Sequence, residues 1–184
     1  MRYLFLIAVI GLLGSCADLQ KKEQLEKITE MNQTLDSLEK ELMNQKIDTL
    51  AQLKLSTSTV ELRIKTYLVL DKVDAELGRK MDAYKLMRRA FGPLGSAFEK
   101  LRKAILEERE ALKNLNSDIE NGNGERKKYD EYLTFEKGKL SKLTVLLNDY
   151  KEQKEAIFET YSKLHGELYA LSMNLMAKKT KLVK

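Results

Sequence analysis

The side chains best able to do chemistry in this chain are few and scattered. Cys16 is its only thiol and His165 its only imidazole. Nucleophilic triads and most metal centres need several His, Cys or Asp converging on one point. A lone histidine beside Leu164 reads instead as a partly covered helix residue. Glu107 and Glu108 are adjacent acids on a charged helix face, where solvated carboxylates are the ordinary occupants. Asn121-Gly122-Asn123-Gly124 lacks the strand and the spacing of a phosphate-binding loop. Arg126, Lys127 and Lys128 with Tyr129 and Tyr132 form a small basic-aromatic cluster, read as seam tyrosines beside surface cations. Lys178, Lys179, Lys181 and Lys184 crowd the end of the last helix and complement its dipole. These residues predict no enzyme, no catalytic residue, no cofactor and no metal.

Composition points the same way. The chain has 184 residues, with charged residues at 33%, aromatics at 7%, one Pro and no Trp. That is the composition of helical bundles and coiled coils. A hydrophobic share of 43% is too high for a disordered chain. The net charge is +5, but the signs alternate along the helices. Alternation reads as solvated faces laced with i,i+4 pairs, so no nucleic acid is expected as a partner.

The elements that must position these residues begin with an apolar run. Arg2 precedes Tyr3 to Leu13, about eleven residues, where a bilayer-spanning helix needs about twenty. A charged start, a short apolar run and small residues after it describe a secretory signal peptide. Here they lead into Leu13-Gly14-Ser15-Cys16. This stretch resembles the lipobox of bacterial lipoproteins. The resemblance covers the first sixteen residues only, and the remainder is assigned to no family. It implies cleavage before Cys16 and acylation of its sulfur, with residues 1–15 as leader, 16–22 as lipidated tether and 23–184 as the helical domain. A lone cysteine in an exported chain is otherwise a free thiol, which lipidation explains. Ala17 rather than Asp at the next position is similar to the pattern for outer-membrane sorting. No acidic run of the surface-export kind follows, so the resemblance implies the periplasmic face.

Along the mature chain, apolar residues recur at helical spacing. A first helix is predicted from about Asp18 or Gln20 to Leu55, with a slip near Met43 to Ile47. Ser56-Thr57-Ser58-Thr59 favours caps over helix interiors, and Ser58 with Glu61 matches a capping box, so a turn is predicted there. A second helix, Val60 to Phe91, carries apolar residues over a wide arc. Gly92-Pro93-Leu94-Gly95 reads as a kink or a reversal. Phe98 to Ile119 resumes a narrow stripe in which Glu108 is the polar slot. The Asn-Gly-Asn-Gly run is a turn, and a last helix follows. Its seam runs Leu140, Leu143, Leu147, Tyr150, Ile157, Tyr161, Leu164, Leu168, Leu171, Leu175 and Leu182, with Lys154 and Lys178 as charged slots.

These elements predict an all-α fold. On either side of the Asn-Gly turn lie arms of about sixty residues, about 90 Å of helix each. They are expected to pair as a long antiparallel helical hairpin, with Gly78 nearly opposite Gly166 for a close approach. The first helix is expected to pack on the open end, against Val60 to Phe91 and Ile157 to Leu182. The alternative is a compact four-helix bundle.

The function this implies is a lipid-anchored periplasmic helical scaffold or interaction protein of the bacterial envelope, acting as an accessory subunit. Its partners would be the membrane, through Cys16, and an envelope protein, with a homo-oligomer also open. One alternative is a chaperone-like clamp similar to the Skp type. Another is a peptidoglycan tether through Lys184, which resembles Braun-type lipoproteins in its lipidated start, helical body and terminal lysine.

Overall fold

Leu, Ile, Met and Tyr at three- and four-residue intervals, separated by Lys and Glu, give one apolar stripe per helix and nothing for a sheet to bury. The chain accordingly folds as an all-α protein. The computed structural model describes the backbone of residues 2–45, 47–69 and 74–182, and all their side chains except those of 2–18, 47 and 180–182. Its α-helices are α1 (Arg2–Met43), α2 (Leu50–Tyr67), α3 (Ala75–Asn121) and α4 (Tyr129–Leu182). Short 3-10 turns, Ile47–Thr49 and Arg126–Lys128, precede α2 and α4.

The chain divides into two units. The first contains α1 with the second half of α3 and the first half of α4, residues up to 44 and 101–147. The α1 stripe Gln24, Ile28, Met31, Leu35, Leu38, Leu42 is buried in strict heptad spacing. In the same unit Leu101, Ile105, Leu112 and Ile119 of α3 and Tyr129, Leu133, Leu140 and Leu147 of α4 are also buried. Polar contacts fix the order. Lys21 donates to the Glu120 carbonyl at 2.8 Å, and Arg109 meets Asp36 and Glu39 at 2.8 Å each, so α1 runs antiparallel to α3. Lys139 meets Glu108 while the Tyr129 hydroxyl meets Asp118, so α4 is antiparallel to α3 as well.

The second unit holds residues 45–100 and 148–184. Here α2 covers the other halves of α3 and α4, burying Leu50, Thr57, Val60, Glu61 and Ile64. Glu61 pairs with Arg88, and Arg63 donates to the Met173 sulfur at 3.2 Å. Tyr84 against His165 and Phe98 against Tyr150 set α3 antiparallel to α4 in this unit.

Three sequence expectations are corrected. The first helix does not pack on the open end. The helix at the start of the chain ends at Met43 and lies against the turn-proximal parts of α3 and α4, while α2 meets Arg88 of α3 and Met173 of α4. The narrow stripes of α3 and α4 near their turn still leave one side uncovered, and the α1 heptads match them. Next, Ser56–Thr59 is helical. The Thr57, Ser58 and Thr59 hydroxyls each donate to a carbonyl one turn back, at 2.8, 2.7 and 2.9 Å, which satisfies them without a cap. The breaks fall at 44–49 and after Tyr67, where α3 restarts on Asp74, whose carboxylate accepts from the amides of Glu76 and Leu77 at 3.0 and 2.9 Å. Finally, a Cβ added at Gly78 or Gly166 would meet nothing within 4 Å, so no close approach requires either glycine. Leu70 and Val73, in the wide apolar arc expected over Val60 to Phe91, lie outside the described residues.

Gly92-Pro93-Leu94-Gly95 lies inside α3, so this stretch reverses nothing. At Asn121 the helix ends in a Schellman motif. The Asn123 amide donates to the Asp118 carbonyl at 2.9 Å and the Gly122 amide to that of Ile119 at 3.4 Å. Gly122 takes φ +65° and Gly124 φ +73°, the left-handed region open to glycine.

Candidate functional site

The backbone of α1 is helical through Cys16, whose side chain is outside the described set. From Gln20 onward α1 is tied to the α3–α4 turn. The amides of Gln20 and Gln24 donate to the two Asp130 carboxylate oxygens at 3.2 and 3.3 Å, and Lys27 lies 3.7 Å from the same group. Asp130 stands in the first turn of α4, where a negative charge also meets the helix dipole. Sequence reading missed both ends of this link. Gln24 is polar at a seam position one residue before Leu25, and only the strict heptad through Ile28 and Met31 reveals it.

The basic-aromatic cluster divides. Tyr129 is buried, its hydroxyl within reach of the Asp118 and Asn123 carbonyls, and so closes the turn. Tyr132 is partly exposed. Arg126 donates through Nε to the Gly122 carbonyl at 2.9 Å, and Lys128 pairs with Glu125 at 2.8 Å. Lys127 is exposed.

The adjacent acids also part company. Glu107 is exposed and meets Lys103 at 3.5 Å. Glu108, contrary to the expectation of a solvated face, is only 2% exposed. It shares Lys139 with Glu136, at 2.6 and 2.7 Å, and its Oε1 has no partner. Burial and the neighbouring Glu136 push its carboxyl above the ordinary value, against the pull of Lys139.

His165 is half-buried in a ring of tyrosines. It stacks on Tyr161 with centroids 4.3 Å apart, and Tyr84 and Tyr169 lie beyond at 6.1 and 5.8 Å. Such packing uses its faces and one nitrogen for structure. Lys154, a charged seam position, donates to the backbone carbonyl of Gln45 and to its side-chain oxygen at 3.1 Å. Lys178 is exposed, and Lys179 lies 4.6 Å from the centre of the Tyr67 ring. Lys184 lies outside the described residues.

Among the described residues, no three His, Cys, Asp or Glu are grouped to hold a metal ion, and no helix is long and apolar enough to cross a membrane. A groove of about 840 Å³ runs between α1 and α4 of the first unit, with Met31, Leu133 and Leu140 along it and Lys27 and Asp130 among its polar residues. Comparison with protein-family models, with curated proteins and with solved structures finds no match to the chain.

Proposed function

We propose that the chain is a lipid-anchored helical scaffold of the bacterial envelope. It is held through Cys16 at the periplasmic face of the outer membrane and acts as an accessory subunit to a protein partner. The single observation that carries this reading is the Leu13-Gly14-Ser15-Cys16 stretch behind a short apolar run with one basic residue before it. Two or three acyl chains, at about 0.8 kcal/mol per buried methylene, make such an anchor durable. Within each unit the segments of α3 and α4 run antiparallel, which supports a helical scaffold. The groove between α1 and α4, together with exposed Phe135, Val145 and Leu146, offers surface to a partner.

The test is a comparison of the parent with Cys16→Ala in a bacterial host. The parent should fractionate with membranes, partition into detergent and carry fatty acid on Cys16 by mass spectrometry. The variant should be uncleaved or soluble. A variant that still partitions like the parent would remove the reading.

A further inference from the structure

We infer that the turn joining α3 to α4, Gly122 to Lys128, is a membrane-contacting surface that takes the phosphates of anionic lipid headgroups. This rests on the reading of Cys16 as the lipid anchor and adds what the anchor places against the bilayer. Cys16 precedes Gln20 by about one helical turn, about 6 Å of rise along α1. Gln20 is hydrogen-bonded to Asp130, and Lys21 to the Glu120 carbonyl, so α1 is fastened on both sides of the turn. A lipid on Cys16 therefore brings the turn to the bilayer surface, where the headgroup layer is about 5–8 Å deep on each side. Leu19, in the same turn of α1, is 60% exposed and apolar, as suits that layer.

The chemistry of the turn fits phosphate. Between Gly122 and Lys128 there are three cations, Arg126, Lys127 and Lys128, and one acid, Glu125. The nearest acids sit on the helix flanks. Asp130 is engaged by Gln20, Gln24 and Lys27, while Glu120 and Glu131 stand on the last turn of α3 and the first of α4. Glu125 is taken by Lys128. That leaves exposed Lys127, and the Arg126 guanidinium folded back over Gly122, as the loop cations with no carboxylate against them among the described residues. The Schellman cap and the Tyr129 hydroxyl hold the loop in one shape, so little ordering is needed on contact.

The experiment is lysine footprinting. Protein isolated from cells making the full chain is reconstituted into phosphatidylcholine vesicles with and without phosphatidylglycerol. It is treated with a membrane-impermeant amine reagent and read by mass spectrometry. Lys127 should react about fivefold more slowly on the anionic vesicles than in neutral detergent micelles, with a smaller change on the zwitterionic ones. Lys103, exposed on α3 in the same unit, should not change. Equal reactivity of Lys127 on anionic vesicles and in neutral micelles, or equal slowing at Lys103, would overturn the inference. If Cys16 is isolated unmodified, the anchor reading fails by itself. The same footprint is then taken with the Cys16 thiol coupled to a maleimide lipid, and membrane contact by the turn stands or falls on Lys127 there.

Discussion

The Tyr84 hydroxyl lies 2.6 Å from Nδ1 of His165. Burial, and after it the neighbouring Tyr161 and Glu61, hold the tyrosine well above its ordinary pKa, so it keeps its proton and donates it. His165 therefore accepts at Nδ1 and carries its own proton on Nε2. Burial pushes the imidazole below its ordinary 6.5. The unfolded chain then binds this proton more tightly than the folded one. Stability should be unaffected by His165 above 6.5 and fall as pH drops through that value toward the folded pKa. His165→Phe should abolish this step in urea titrations run from neutral to mildly acid pH. Tyr84→Phe should cost about 1 kcal/mol. An imidazole that titrates at or above 6.5 by NMR would contradict the arrangement.

Glu61 is a buried carboxylate held at 2.5 Å by both Lys65 and Arg88. Burial opposes its charge, but these two bonds outweigh it and set its pKa below the ordinary value. The stability it contributes is present above 4.5 and lost as pH falls through the lower folded value. Arg88→Met leaves the acid with a mostly exposed lysine. Removing one partner of a buried pair costs about 3–5 kcal/mol, and the part exposure of Arg88 reduces that to about 2 kcal/mol at neutral pH. Chemical denaturation measures the loss, and the acid limb of the pH profile should flatten in the variant.

Glu108 behaves in the opposite sense. Its raised pKa means that the folded chain holds this proton more tightly than the unfolded one does. Its contribution is present below 4.5 and lost as pH rises through the folded value. Glu108→Gln keeps the shape, can donate to Glu136 as the protonated acid would, and has no charge to bury. It should match or exceed the parent in stability at neutral pH and lack the decline above 4.5. A loss of about 3 kcal/mol at neutral pH, the size expected for breaking a buried ion pair, would show that Glu108 is ionised there.

The sequence makes the helical class legible because stripes such as Leu140, Leu143, Leu147 and Tyr150 admit one period, and all four are buried. The Asn121–Gly124 turn is equally legible, since positive φ leaves glycine its residue. The helix breaks are not. Ser56–Thr59 carries cap chemistry, but hydroxyls can return to their own helix carbonyls. Which spelling wins is decided by the partners of the stripe around Val60 and Ile64. Nor could the placement of α1 be read, because its heptads fit any uncovered pair of narrow stripes, and the choice lies in contacts such as Arg109 with Asp36 and Glu39. Glu61 reads as the capping-box partner of Ser58, and Glu108 both as the polar slot of its stripe and as an acid on a charged face. Their burial follows from seam register, to which single-residue chemistry is blind.

Pro93 gives the sharpest test of α3. The helix runs from Ala75 to Asn121 with Pro93 inside it, and the next residue, Leu94, is buried at 1% exposure. A proline there has no amide proton for the carbonyl one turn back, that of Arg89, and its ring crowds that carbonyl. In a helix interior this costs about 3 kcal/mol relative to alanine, offset in part because proline also restricts the unfolded chain. Pro93→Ala should therefore stabilise the protein by about 2 kcal/mol and leave the helical circular dichroism unchanged or slightly stronger. In a reversal the same proline would set the turn, and its removal would destabilise. A lower denaturation midpoint for Pro93→Ala would thus break the continuity of α3, and with it the pairing of Tyr84 with His165 and of Glu108 with Lys139 along a single helix.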